Sequence, residues 1–269
     1  LALARKAAET DADIIVMCGV HFMGETAKIL CPDKKVLVPD LAAGCSLADS
    51  CDPVEFEKFV REHPDHTVIS YVNTSAAVKA HTDIVVTSGN ARKIVESLPA
   101  DEKIIFGPDR NLGGYINSVC GRDMLLWPGA CHVHDRFSLE KIQQMKNDHP
   151  GAKILVHPEC RRPLQLIADK VGSTAALLDF ARSDDAREYI VVTESGILFE
   201  MRRACPDKIF LAAPAEDSEC QCNECDYMKL NTLAKVAAAL RDERPEIHVD
   251  PEIAARALRP IERMLELSE

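Results

Sequence analysis

The chain lacks any apolar run approaching the ~20 residues that a membrane-spanning helix needs. It also lacks a basic surplus. The formal net charge is −11, whereas broad contact with nucleic acid or an anionic membrane wants a basic face. A local anion pocket is compatible with that charge. No low-complexity linker interrupts the 269 residues, of which 46% are hydrophobic and 28% charged, an ordinary soluble globular balance. A disulfide framework is missing too. Eleven cysteines are present, but the count is odd and the chain is too long for a small stapled scaffold. Several, such as Cys18, Cys120 and Cys205, sit inside apolar patterns. A reducing cytoplasm is expected, with most thiols structural. The first residue is Leu, and LALARKAAETDADIIV reads as opening within a helix. The expectation is therefore a chain without its true N-terminus, with a signal peptide left open.

Three of the cysteines, Cys45, Cys131 and Cys225, fall one in each third of the chain. Each lies in a short loop just past a β-like run: VLVPDLAAGCS, LLWPGACHVH and KIFLAAPAEDSECQCNEC. One thiolate from each third, brought to a common point, would form a three-cysteine metal site. An ordinary [4Fe–4S] cluster takes four Cys thiolates. Three would leave one iron open to bind substrate as a Lewis acid. The alternative is that these are buried small hydrophobes, since free Cys is among the most buried residue types. Cys220, Cys222 and Cys225 form the one tight cluster. Without a matching second pair, zinc ranks below an iron–sulfur ligand there.

A repeat emerges when the β-like segments are aligned. Its last strand reads PDKKVLVPD, DEKIIFGPD and PDKIFLAAP. Its first reads DIIVMCGVHFM, TVISYVNTS and KILVHPEC, with DIVVTS and YIVVTES between. Short Val/Ile-rich strands alternating with helices indicate parallel sheets covered on both faces. Helices are expected at ETAKIL, PVEFEKFVREH, NARKIVESL, SLEKIQQMKNDH, RRPLQLIADKV, TAALLDFARS and SGILFEMRRA. Two more are expected at DYMKLNTLAKVAAALRDE and PEIAARALRPIERMLEL, the latter opening on Pro251. The expected architecture is α/β, with three small modules over residues 1–50, 51–135 and 136–269. In open parallel sheets, ligands gather beyond the carboxyl ends of the strands, where helix N-termini offer N–H groups. The loops at those ends carry His21, Tyr71-Val72-Asn73, Ser88, His157-Pro158-Glu159 and Thr174.

With those loops in view, the chain resembles the quinolinate synthases of bacterial NAD biosynthesis. The matching strings are CGVHFMGETAKIL, AGCSLADSC, SYVNTSAAVKA, VVTSGNA, WPGACHVHDRF, ILVHPEC, VGSTAAL and HVDPEIAARALRPIERML, in order along the whole chain. The resemblance implies three pseudo-symmetric αβα modules around a central [4Fe–4S] cluster held by Cys45, Cys131 and Cys225. It implies condensation of iminoaspartate with dihydroxyacetone phosphate, with loss of phosphate and two waters. Functional coupling to L-aspartate oxidase follows from the same resemblance. Glu159 is then the principal acid/base, with His157 as proton-relay or substrate partner and Tyr71 as a proton-transfer group. Val72, Asn73, Ser88, Pro158, Thr174 and His21 are substrate contacts. His132 and His134 flank Cys131 as outer donors to the cluster, and Arg161 and Arg162 are candidates for phosphate. Asn73, Ser88 and Thr174 also suit plain helix capping, and the two roles coexist. The family's N-terminal His-Tyr-Tyr and Gly-Asp-Ser motifs would precede Leu1, so incomplete folding and lost activity are expected of these residues alone. An electron-transfer or iron–sulfur carrier protein is the competing class; it predicts four protein ligands and no substrate-shaped cavity. A regulatory disulfide among Cys220, Cys222 and Cys225 is left open.

Overall fold

The computed structural model describes residues 2–216 and 223–268. The first part of the chain forms α1 (Ala2–Glu9), β1 (Ile14–Val16), α2 (His21–Leu30), β2 (Lys35–Leu37) and α3 (Ser46–Asp49). Next come α4 (Pro53–Arg61), β3 (Thr67–Tyr71), α5 (Ala76–Lys79), β4 (Ile84–Val86), α6 (Ala91–Ser97) and β5 (Ile104–Gly107). They are followed by α7 (Arg110–Cys120), β6 (Leu125–Leu126) and α8 (His132–Asp135). A third run holds α9 (Leu139–Asp148), β7 (Lys153–Val156), α10 (Arg162–Leu166), β8 (Lys170–Val171), α11 (Thr174–Ser183) and β9 (Glu188–Val192). It continues with α12 (Ile197–Ala204) and β10 (Ile209–Ala212), and closes with α13 (Asp226–Lys229), α14 (Leu233–Asp242) and α15 (Pro251–Leu267).

The protein is α/β, built on three small parallel sheets. β1 pairs with β2, while the other two sheets run β4-β3-β5-β6 and β8-β7-β9-β10. Both four-stranded sheets therefore share one order: second, first, third, fourth. The order reverses between the first and third strands, where a crevice opens at the carboxyl ends. In β3 and β5 nearly every residue is buried, because helices cover both faces and leave no side for a polar alternation.

Caps place the helix starts. Asp52 accepts from the N–H groups of Val54 and Glu55 with Pro53 opening α4. Asp250 does the same ahead of Pro251 in α15, and Ser173 caps α11. α15 runs through Pro260, whose ring is buried. Its packing on β4 and α5, with Ala257, Ile261 and Met264 in the central core, offsets the lost backbone bond. The closing segment thus lies away from the third sheet it follows. Ile247 packs beside Val36 and Val38, and α14 touches β1.

Three sequence expectations need correction. The helix read over RRPLQLIADKV ends at Leu166, because Lys170 and Val171 pair with β7 as β8. The Asp169 carboxylate, 2.8 Å from the Ile154 N–H, pins that turn. DYMKLNTLAKVAAALRDE is two helices, since the Thr232 hydroxyl starts α14 anew. Cys18, read as lying inside an apolar pattern, is exposed. RNLGGYINSVC, absent from the expected helices, is α7. It is capped by Asp109 and closed by Gly121 at φ 63°.

The two glycines of α7 make opposite demands. A Cβ on Gly113 would sit 2.6 Å from Leu126 Cδ2, whereas none on Gly114 would meet anything within 4 Å. Gly114→Ala is expected to stabilise the fold by about 0.5–1 kcal/mol. Gly113→Ala is expected to destabilise it by about 1–3 kcal/mol through overpacking. Urea unfolding of both variants checks the pair, and equal shifts would contradict the packing.

Candidate active site

The strand ends of the two larger sheets deliver their polar residues to one place. Tyr71 ends β3, His157 and Glu159 follow β7, Thr193 follows β9, and Asp109 follows β5. Glu159 is the centre of this group and is 3% exposed. Its Oε1 accepts the Tyr71 hydroxyl at 2.6 Å, and its Oε2 lies 3.1 Å from His134 Nδ1. The other His134 nitrogen meets the Thr193 hydroxyl at 2.9 Å. Burial pushes the Glu159 pKa up, but His134, by charge and hydrogen bond together with Tyr71, outweighs it and holds the carboxyl below its usual range. Glu159 is therefore ionised. Burial, and then the Glu159 charge, push Tyr71 well above its ordinary value, so the phenol keeps its proton.

His157 faces the same carboxylate differently. Its Nδ1 accepts from the Glu159 N–H at 3.4 Å, which leaves the proton on Nε2, 3.3 Å from Ser88 Oγ. Burial pushes its pKa down to about 4, against the opposing pull of Glu159. The 3.7 Å approach of Nδ1 to Glu159 Oε1 is therefore contact with a neutral ring, not an ion pair.

Each candidate cysteine stands immediately before a one-turn helix. Cys45 precedes α3, Cys131 precedes α8 and Cys225 precedes α13. N–H groups of Leu47 and Ala48 point at Cys45, and those of Val133 and His134 at Cys131. Such N–H groups favour a thiolate. Burial nonetheless dominates, pushing Cys45 up to about 11, with Glu159 and Cys225 adding to the rise. Cys131 is pushed up by burial, then Glu159, then Cys45. The three sulfurs thus share one neighbourhood, and beside the Glu159 charge the Cys45 and Cys131 thiols resist ionising, a donor set that a cationic group would satisfy. Among the described residues, Cys131, His134 and Glu159 are the only group of three or more whose metal-ligating atoms all lie within 4.8 Å of one another. The three cysteines are too dispersed for a single ion and suit a polynuclear group, which takes its thiolates on separate irons. Cys220 and Cys222, and with them any disulfide to Cys225, lie outside the described residues.

A cavity of about 1020 Å³ adjoins this cluster and is lined by Val72, Asn73, Ser88 and Thr174 among others. Tyr71, His157 and Glu159 do not line it; Ser88 belongs to both, as wall of the cavity and partner of His157. Pro158 is buried, and its carbonyl accepts from the Gln165 amide at 2.8 Å. His21 is the first residue of α2, with a side chain 45% exposed and 3.8 Å from Glu25, away from the cavity lining. Arg161 turns to the Phe137 carbonyl and the Glu216 carboxylate, in a separate surface cavity.

Sequence reasoning passed over Asp109 and Lys79. Asp109 accepts from the N–H groups of Asn111, Leu112 and Cys131. Burial and the Glu159 charge push its pKa up to about 7, against the pull of the Leu112 and Cys131 N–H groups. Lys79 is fully buried, and its ammonium donates to the carbonyls of Val72 and Thr74 and to the Thr74 hydroxyl. It thereby ties down the loop bearing Asn73. Burial brings its pKa down to about 8. Only the helical register of AAVK, which turns Lys79 inward beside Ala76 and Val78, hinted at this.

Two outcomes follow from these buried charges. Lys79→Met should cost about 1–3 kcal/mol, because two carbonyls lose their donor; urea midpoints measure it, and an unchanged midpoint would refute the tie. His157 binds its proton near 6.5 when unfolded but only near 4 in the fold. Its contribution is therefore lost as pH falls from about 6.5 towards 4, by about 3 kcal/mol. His157→Gln should flatten the fall in stability between pH 7 and pH 5, and a parent-like slope would count against a neutral buried ring.

Comparison with known proteins agrees with this geometry. The family model described as Quinolinate synthetase A protein matches residues 1–266. A quinolinate synthase of a Synechococcus species is 54% identical over 268 residues, 100% of this chain and 84% of that protein. One of Chloroherpeton thalassium is 53% identical over 269 residues, again 100% of this chain and 84% of its own length. One of Microcystis aeruginosa is 53% identical over 268 residues, with the same shares of both chains. This chain belongs to the quinolinate synthetase A protein family.

Proposed function

We propose that the protein synthesises quinolinate by condensing iminoaspartate with dihydroxyacetone phosphate, with loss of phosphate and two waters. In this reading Cys45, Cys131 and Cys225 hold a [4Fe–4S] cluster. The observation that carries it is the gathering of three cysteines, each heading a one-turn helix, with Cys45 and Cys131 beside the buried Glu159 and Cys225 beside Cys45. The names of the relatives stand against a plain electron carrier, and so does a cavity walled by Asn73, Ser88 and Thr174. The three sheets are read as three related αβα modules, the two larger ones sharing one strand order. Among the described residues no helix is long and apolar enough to cross a membrane. The cytoplasm, and coupling to an L-aspartate oxidase that supplies the unstable imine, complete the reading.

The residues divide the work by protonation state. Asn73, Ser88 and Thr174 supply amide, hydroxyl and backbone donors to the anionic groups of the substrates. Glu159, kept ionised by His134 and Tyr71, removes a proton from carbon. Tyr71, kept protonated, is placed 2.6 Å from Glu159 to return one, so the pair alternates as base and acid. His157, neutral with its proton on Nε2, passes hydrogen-bond order between Ser88 and Glu159. The cluster, when bound, supplies an open iron as Lewis acid.

Mössbauer spectra of anaerobically reconstituted ⁵⁷Fe protein, with and without quinolinate, test the open site. One iron of the four shifting on ligand addition is expected; four indifferent irons would overturn it in favour of a fully ligated cluster. Glu159→Gln in the intact protein should keep its iron and lose about 10²–10⁴-fold in quinolinate formation. Retained activity would remove Glu159 from the acid/base role.

A further inference from the structure

The cysteine-bearing segments touch one another through their neighbours, not only through their sulfurs. Ser46, next to Cys45, meets His132, next to Cys131. The Ser46 Oγ and His132 Nδ1 are 2.6 Å apart, and the His132 backbone N–H donates to the same oxygen at 3.3 Å. With that oxygen accepting from the backbone, its own proton goes to Nδ1, and the exchange locks ring and serine together. Tyr227, two residues past Cys225, presents its ring edge-on to the His132 imidazole, centroids 5.9 Å apart. The same tyrosine covers Gly44, its Cε1 3.6 Å from where a Cβ would stand. A further tie joins the second and third segments: the buried Asn223 amide donates to the Val133 carbonyl at 2.7 Å.

Each partner in these contacts is one or two residues from a cysteine in sequence. The offset matters mechanically. One or two residues from a cysteine, a side chain cannot shift far without carrying the sulfur with it. The cysteines come from three different parts of the chain, so a cluster binding to independent loops would have to order all three, at a conformational-entropy cost for every residue fixed. A site already ordered avoids that cost at the moment of binding, which tightens retention.

We propose that Ser46, His132 and Tyr227 form a clasp that positions the three cysteine segments against one another. The clasp rests on the reading of Cys45, Cys131 and Cys225 as cluster ligands, and it makes these three positioning residues, acting through their neighbours. Ser46 is its hinge, His132 its centre and Tyr227 its lid over Gly44. Removing a hydroxyl or a ring leaves all three thiols in place and loosens only their mutual register.

The test compares Ser46→Ala and His132→Ala with Ser46→Thr, which keeps the hydroxyl, and with the parent, all in the intact protein. After anaerobic reconstitution, iron and sulfide per chain are counted, and iron loss to an added chelator is followed by absorbance. Thermal melting of the iron-free proteins is recorded alongside. The alanine variants are expected to lose iron about 10–100-fold faster, the range typical when an outer partner of a metal ligand is removed. Ser46→Thr should behave as the parent, and the iron-free melts should coincide. The Ser46→Ala/His132→Ala double variant should be no worse than either single one, since both break one link. A parent with four irons and alanine variants that hold them equally well would overturn the clasp and leave the cluster reading intact. A parent that takes up no iron would overturn the cluster reading, and the clasp with it. Iron loss matched by lower iron-free melting, with Ser46→Thr failing as well, would mark a general scaffold role and overturn the clasp.

Discussion

A carboxylate buried among thiols is the constraint on which the rest of this molecule depends. Glu159 is almost wholly removed from water, and an unpaired charge there would cost several kcal/mol even after local relaxation. His134 and Tyr71 meet that cost from two sides, and neither belongs to the loop after β7 that carries Glu159. The pairing therefore holds the second and third sheets at a set distance and fixes which group is base and which is acid. The same carboxylate raises the cost of ionising Cys45 and Cys131. One charge thus links proton transfer to whatever positive group the thiols hold.

Other buried polar groups serve this centre at one remove. Lys79 fastens the Val72–Thr74 loop from below, and Glu25 of α2 accepts from the Ala76 N–H at the start of α5. The first and second parts of the chain are joined there, beside the cavity that Asn73 lines. Asp109 both starts α7 and receives the Cys131 N–H. A helix cap and a cysteine loop consequently share one carboxylate. Buried polar networks of this kind are costly when incomplete and rigid when satisfied. The only buried side-chain polar atom without a partner among the described residues is Asn231 Oδ1.

Much of the architecture was legible from residue pattern. Short Val/Ile runs ending near Pro located β2, β5 and β10, and the TAALLDFARS and PEIAARALRPIERMLEL helices have the bounds their composition suggests. The failures are physical. β8 is two residues long and exists only because β7 lies beside it. α7 survives two glycines because one of them lets Leu126 and Phe106 approach its backbone. His21 looked like a loop residue and became the first residue of a helix.

The sequence by itself determined the inventory: an acidic α/β chain, three separated cysteines, and polar loops after parallel strands. Those properties follow from local pattern, where periodicity and turn chemistry act over a few residues. Only the tertiary structure decided that Tyr71 hydrogen-bonds Glu159, that His134 stands between Glu159 and Cys131, and that Ser46 reaches His132. It also decided that Lys79 is buried and that Arg161 is occupied elsewhere. Protonation states belong to the same category, because burial and distant neighbours set them, as with Tyr71 and Glu159, 88 residues apart, and no local window contains both partners.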